Sequence, residues 1–447
     1  MSAPAPSRLL RHLVAAVVAL PMFAAPALAT TIERVVSAGG IEAWLVHESA
    51  VPLIAVDFAF VGGAAQDPDG KAGTANLMAS LLDDGAGDFD SRAFHARLER
   101  HAVELSFQVQ RDTLRGTLRT LTENRDQAFD DLRLALTAPR FDPADVEINR
   151  AQIMSMLRRA TTSPTEIANL RWWQVAFADH PYGRPVRGTL QSVPAITVDD
   201  LKDYTRRVMA RANLKVAVVG DIDADAVKTM LDRVFGALPA KPELLPVATV
   251  SPQGLGRRIV VRLDVPQAVV TFGGPGIARK DPDFMAAYIV NHILGGSAFS
   301  SRLYQEVREK RGLAYSVYDN LVWLNHAALF IGGTATRADR TGETLDLIQK
   351  EIRRLAADGP TAGELAEAKA YLKGSFLLNL DTSSKLASLL VQLQLDDLGI
   401  DYFTQRPQMI DAVTLDDARR VAKRLLDGGL LVTVVGRPQG LTSTSAE

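Results

Sequence analysis

The stretch Pro194-Ala195-Ile196-Thr197-Val198-Asp199-Asp200 returns in altered form as Asp411-Ala412-Val413-Thr414-Leu415-Asp416-Asp417. A β-type run follows each copy, Leu214 to Gly220 and Leu430 to Gly436, and both runs carry Val-Val-Gly. Upstream of the first copy, an apolar run from Leu53 to Phe60 precedes Val61-Gly62-Gly63 and then Asp67-Pro68-Asp69. Upstream of the second, another apolar run precedes Phe272-Gly273-Gly274 and then Asp281-Pro282-Asp283. Several matched pairs in one order, at a period of about 215 residues, indicate duplication. Each half alternates β-branched runs with amphipathic stretches such as Ser91–Arg100 and Thr341–Ala357, so the pattern predicts two similar α/β domains of about 200 residues. In both repeated segments the threonine is a helix N-cap, and the acids after it suit the positive end of a helix, a structural role.

The halves are separated by 238–256, where Pro239 to Gly256 is rich in Pro and Gly and has no helical period; it reads as a linker. The expected boundaries are 30–237 and 257–440 for the two domains, with a polar, disordered tail at 441–447. The first 29 residues are set apart. Arg8, Arg11 and His12 form a basic region, Leu13 to Ala25 is a short apolar run, and Ala27-Leu28-Ala29 supplies small residues for cleavage. That is the pattern of a secretory signal peptide over 1–29, and the run is too short to span a bilayer. A bacterial periplasmic address fits it.

Of 447 residues, 47% are hydrophobic and 23% charged, which excludes disordered, collagen-like and coiled-coil classes. There is no cysteine. Disulfide frameworks, cysteine nucleophiles, iron–sulfur clusters and thiolate zinc sites are therefore excluded, and any metal must sit on His, Asp or Glu. Removing the leader takes two of the 50 basic residues and leaves 48 against 52 acids, a net of −4. With no basic stripe, nucleic acid is not expected as a partner.

Among seven histidines no two stand four apart, the spacing that aims both imidazoles from one helix face. His95 and His101 are six apart and project from different faces, and His180 lies in the loop-like His180-Pro181-Tyr182-Gly183. Gly295-Gly296-Ser297-Ala298-Phe299-Ser300-Ser301-Arg302 lacks the Gly-Lys-Ser/Thr ending of a P-loop, and no Gly-x-Ser-x-Gly elbow is present. The following segment is more telling. Apolar residues at 299, 303 and 307 predict a helix, Gly312 a stop, and Leu313 to Tyr318 a strand. Arg308 near the helix end and Tyr315 on the strand either converge as two hydrogen-bond donors, the arrangement that oxyanion stabilisation requires, or are simply a surface arginine and a half-buried tyrosine.

The run Ser300-Ser301-Arg302-Leu303-Tyr304-Gln305-Glu306-Val307-Arg308-Glu309-Lys310-Arg311-Gly312-Leu313-Ala314-Tyr315 resembles the second-domain signature of the pitrilysin/insulinase family of zinc metallopeptidases. The segments around Gly62-Gly63, His180-Pro181-Tyr182-Gly183 and Val218-Val219-Gly220-Asp221 resemble family segments in the same order. The likeness covers the whole mature chain, in the two-domain form shared with mitochondrial processing peptidase subunits. It implies an α+β fold: two homologous domains, each a largely antiparallel sheet covered by helices, together forming half of a clamshell. The family binds zinc through an inverted His-x-x-Glu-His on a first-domain helix and a further Glu about 76 residues on. Here Asn76 replaces the first His, Ala79 the general base and Ser80 the second His. The same count ends at Met156, and the nearest upstream acid, Glu147, is about 13 Å away along a helix.

The resemblance therefore implies no cofactor in this chain and no water activation by it. The Arg and Tyr element is intact, and in the family its counterparts bind the substrate carbonyl beside the metal. The implied role is a non-catalytic, substrate-binding and transition-state-stabilising subunit of a heterodimeric periplasmic zinc metalloendopeptidase acting on peptides. A homologous catalytic subunit would bring the zinc, and Arg308 and Tyr315 would act in trans. The alternative is a non-enzymatic scaffold or peptide-binding protein of the cell envelope.

Overall fold

The computed structural model describes residues 31–297, 299–378, 380–441 and 443. The expected signal peptide, 1–29, and most of the expected tail lie outside the described residues. Two mixed sheets occupy one compact unit that begins at Ile32. The first contains β1 (Glu33–Val36), β2 (Glu42–His47), β3 (Leu53–Val61), β4 (Glu104–Val109), β5 (Thr113–Leu121) and β6 (Leu214–Gly220). Its order is β1-β2-β6-β3-β5-β4, and only β2 and β6 run parallel. The second contains β7 (Arg258–Arg262), β8 (Gln267–Pro275), β9 (Ala314–Trp323), β10 (Ala328–Arg337) and β11 (Leu431–Gly436). Its order is β7-β11-β8-β10-β9, with only β7 and β11 parallel. Set aside β1, and β2-β6-β3-β5-β4 has the same topology strand for strand. The duplication legible in the sequence is thus a duplication of sheet topology, and the fold is α+β with largely antiparallel sheets.

Each sheet buries one face under helices of its own half. On the first, Phe58 and Val216 meet Leu132 and Leu231 of the helices Arg125–Thr137 and Ala224–Phe235. On the second, Val270 and Val434 meet Ile348 and Val421 of Thr341–Asp358 and Leu415–Leu426. The opposite faces are covered by exchange. Trp44, Ala217 and Val219 of the first sheet pack on Ala387, Leu390 and Val391 from the second-half helix Ser383–Leu395. Ile259, Leu329 and Leu431 of the second sheet pack on Trp172 and Ala176 from the first-half helix Pro164–Ala176. Polar contacts fix the exchange: Gln394 Nε2 donates to the Val216 carbonyl at 2.8 Å, and Arg115 Nη2 to that of Ser388 at 2.6 Å. Each fully buried large apolar side chain contributes about 1.5–3 kcal/mol, so both halves draw stability from the partner half.

The repeated caps take the same form in both halves. Thr197 and Thr414 accept from the backbone N–H groups of Asp200 and Asp417, and those carboxylates accept from the N-cap N–H groups in return. The segment between the halves has neither helix nor strand over 241–254, but it is pinned: the Leu245 and Val250 N–H groups donate to Gln66 Oε1 and the His326 carbonyl at 2.6 and 2.8 Å. The expected helix over the Arg308 segment is wider than an α-helix, with Tyr304–Glu309 in π geometry. Leu303 and Val307 are fully buried as their spacing requires, but Phe299, expected on the same apolar face, is 72% exposed. It sits in the turn before the helix begins, so the helical period does not reach it. No described helix is long and apolar enough to cross a membrane.

Candidate functional site

Arg308 lies in the last turn of the wide helix Tyr304–Glu309, and Tyr315 is the second residue of β9, the strand that leaves it. Gly312, at φ +58°, makes the reversal between them, and its N–H donates to the Arg308 carbonyl at 2.9 Å. Where β9 meets β10 the register shifts between Thr334 and Thr336, and at this irregularity Tyr315 and Ser316 both face outward. Tyr315 is 85% exposed. The Arg308 guanidinium carbon lies 5.2 Å from the Tyr315 ring centre and 4.8 Å from that of buried Tyr304. A third of the Arg308 side chain remains exposed, with the Glu309 carboxylate 3.5 Å away. The structure thus brings the sequence-identified pair together, one cation resting on two phenol rings.

The segment carrying the pair is braced from behind. Arg302 donates twice to Glu364, at 2.6 and 2.8 Å. Burial works to raise that carboxyl, but Arg302 and the Thr361 amide prevail and hold it at about 2. Glu306 accepts from Lys310 at 2.7 Å and from Arg311 at 2.6 Å. Beneath the strand, Asp319 is fully buried; its Oδ2 accepts from Asn291 at 2.7 Å, and burial drives its carboxyl well above the ordinary range. Sequence reading missed Asp319, whose signal was an acid at an inward position of an alternating strand.

The positions matching the family's zinc site do not form a donor set. Asn76 and Ala79 lie on the short helix Thr74–Ala79, with Ala79 buried; Ser80 ends it and donates its hydroxyl to the Leu77 carbonyl at 2.9 Å. Met156 projects from the helix Pro143–Ala160 and is 39% exposed; Glu147 on the same helix is exposed and pairs with Arg150 at 3.1 Å. An amide, a methyl, an engaged hydroxyl and a thioether do not fit zinc, which takes imidazole, thiolate or carboxylate. Among the described residues no three His, Cys, Asp or Glu gather to hold a metal. His95 lies 3.4 Å from Asp84 and His101 3.1 Å from Asp131, on separate carboxylates. His180 Nε2 donates to the Ala248 carbonyl at 2.8 Å, and its Nδ1 accepts from the Tyr182 N–H.

What orders the short helix is Asp67. Its carboxylate accepts from the Gly73 and Ala75 N–H groups at 2.7 and 2.8 Å, and burial pushes it up to about 7. Sequence reading had taken Asp67 only as a marker of the repeat. A cavity of about 1110 Å³ opens between the halves, lined by Met156, Trp173, Tyr318 and Ile331 among others. Arg308 and Tyr315 are not in its wall.

The duplicated sheets and the absent zinc donors define a peptidase-like chain of the non-catalytic kind. The chain belongs to the insulinase (M16) peptidase family. Residues 46–190 match the model for insulinase (peptidase family M16), and residues 195–372 that for the peptidase M16 inactive domain. An uncharacterized zinc protease of Streptomyces coelicolor is 30% identical over 77% of this chain and 78% of its own length. A non-peptidase homolog of Helicobacter pylori is 29% identical over 75% of this chain and 77% of its own. The crystal structure of a peptidase M16 inactive domain from Pseudomonas fluorescens has the same fold, with a TM-score of 0.85 at 24% identity, covering 93% of this chain and 100% of that one.

Proposed function

We propose that this chain is the substrate-binding, transition-state-stabilising subunit of a two-subunit zinc metalloendopeptidase in the periplasm. A homologous subunit carries His-x-x-Glu-His and its zinc, while this chain presents Arg308 and Tyr315 to the substrate carbonyl. One observation carries the reading: a guanidinium and a phenol, held together by a π-turn and an irregular strand, face outward in a chain without the zinc donors they would serve. A cation with a third of its side chain exposed and an 85% exposed ring are available to a second chain without unfolding anything. Two such donors, aimed at one oxygen, stabilise the charge that develops on it.

The test is a pull-down of the tagged mature chain from its native envelope, followed by peptide hydrolysis with the recovered complex. Recovery of one near-stoichiometric protein of similar size bearing His-x-x-Glu-His supports the reading. Recovery of the chain alone, or with unrelated envelope proteins, replaces it with the scaffold or peptide-binding role.

A further inference from the structure

We propose that the cavity between the halves binds an acidic peptide segment, whose carboxylates its arginines receive. Five arginines line it, Arg111, Arg171, Arg184, Arg187 and Arg257, with Glu166 the one acid among the described residues of its wall. Arg184 is held by the Asp69 carboxylate at 3.1 Å, and Arg171 and Arg257 have partners of their own, so the groups that receive the peptide are Arg111 and Arg187. The chain as a whole carries a formal net charge of −2, whereas arginines outnumber acids among the residues of this wall. The five come from both halves: the turn between β4 and β5, the helix Pro164–Ala176, the loop after Gly183 and the entry to β7. No motif joins them in the sequence; folding gathers them.

Arg111 is the anchor. Its guanidinium carbon stacks 3.4 Å from the Trp173 ring centre, and its Nε donates to the Tyr182 carbonyl at 3.1 Å. The neighbouring carboxylate, Asp112, is turned to other donors, accepting from the Tyr182 hydroxyl at 2.6 Å and the Asn325 N–H at 2.8 Å. Burial lowers Arg111 to about 10, which leaves it cationic at neutral pH. A desolvated guanidinium stacked on an aromatic face, with the adjacent acid engaged elsewhere, suits a carboxylate approaching in fork geometry. At the rim, Arg187 is 54% exposed and only loosely held, 3.9 Å from Glu166. Leu170, Met156 and Ile331 give the same cavity apolar wall. Its volume of about 1110 Å³ has room for a short stretch of peptide. A basic segment would bring like charge against Arg111 and Arg187. This deepens the function proposed above, and rests on it only for the statement that the bound peptide is a substrate.

The experiment uses the full chain alone and a fluorescein-labelled decapeptide with three glutamates around leucine and phenylalanine, read by anisotropy. Matched peptides carry glutamine or lysine in place of glutamate. The glutamate peptide is expected to bind about tenfold or more tighter than the lysine peptide, and to weaken as salt rises. Arg111→Gln and the rim variant Arg187→Glu should each lower its affinity by about tenfold, the second without moving the melting temperature. Equal affinity for all three peptides, no binding of any, or wild-type affinity in both variants overturns the proposal. A chain that binds the acidic peptide but recovers no His-x-x-Glu-His partner keeps this site and retires the two-subunit peptidase.

Discussion

Trp172, on a helix of the first half, donates its indole N–H to the carbonyl of Leu431, the first residue of β11 in the second half, at 3.1 Å. The ring is fully buried in an apolar cluster built from both halves. Trp172→Ala would remove the donor, leave a cavity and strip the cover from the second sheet. The expected cost is about 3–5 kcal/mol, measured as a lower urea midpoint. Because each half supplies a covering helix to the other, unfolding should stay a single transition. A variant that unfolds in two separated steps would show that the exchange does not couple the halves.

The same exchange governs what the halves do alone. Residues 257–440 expressed by themselves would expose Ile259, Leu329 and Leu431, which the first half covers in the whole chain. They should aggregate or bind a hydrophobic dye, and co-expression with residues 30–256 should restore a soluble complex. A soluble, dye-silent second half would contradict this.

The duplication, the strands β3, β6, β8 and β11 and both threonine N-caps were legible because they rest on local patterns repeated in one order. That Arg308 and Tyr315 lie together was legible from a helical period, a glycine stop and a strand, whereas Asn76, Ala79, Ser80 and Met156 were singled out by the family resemblance alone. The helix exchange was not. A sequence shows that Pro164–Ala176 is apolar enough to be buried, but not which sheet buries it. Phe299 misled because a period extended backwards past the true helix start counts a turn residue as core. The cavity arginines left no trace, since Arg111 and Arg257 come to one cavity wall only through the packing of the two halves.

Asp319 makes stability depend on pH in an unusual direction. Its carboxyl is raised by burial, above the value of about 3.9 expected in an unfolded chain. As pH rises past about 4, the unfolded chain releases this proton while the folded chain retains it, so the contribution to stability is lost progressively up to the folded pKa. Asp319→Asn stays neutral and keeps an acceptor for Asn291. Its melting temperature should match that of wild type near pH 4 and exceed it at pH 7–8. A difference that stays constant from pH 4 to 8 would assign the effect to packing alone.

Chelation should leave the fold untouched. The positions that hold zinc in the family carry an amide, a methyl, a hydroxyl and a thioether here, so no ion contributes to the native state through them. A resident ion at a hundred times its Kd would add about 2.7 kcal/mol. The expected outcome is the same melting curve with EDTA, with added zinc and with neither; a zinc-dependent rise would place a site elsewhere in the chain.

The Arg308 and Tyr315 pair offers the sharpest separation of structure from function. Tyr315 buries little of its surface, so Tyr315→Phe should change stability by less than about 0.5 kcal/mol. In the reconstituted two-subunit enzyme the same change removes one donor to the developing oxyanion, and turnover should fall by about 10²–10³-fold with assembly intact. Arg308→Ala should act alike. It also removes the cation that rests on the Tyr315 ring at 5.2 Å, so the second donor loses its support along with the first. The double variant should therefore lose less than the product of the two single losses. Steady-state hydrolysis of one peptide by the four complexes measures this, and wild-type turnover in both single variants would falsify the role in trans.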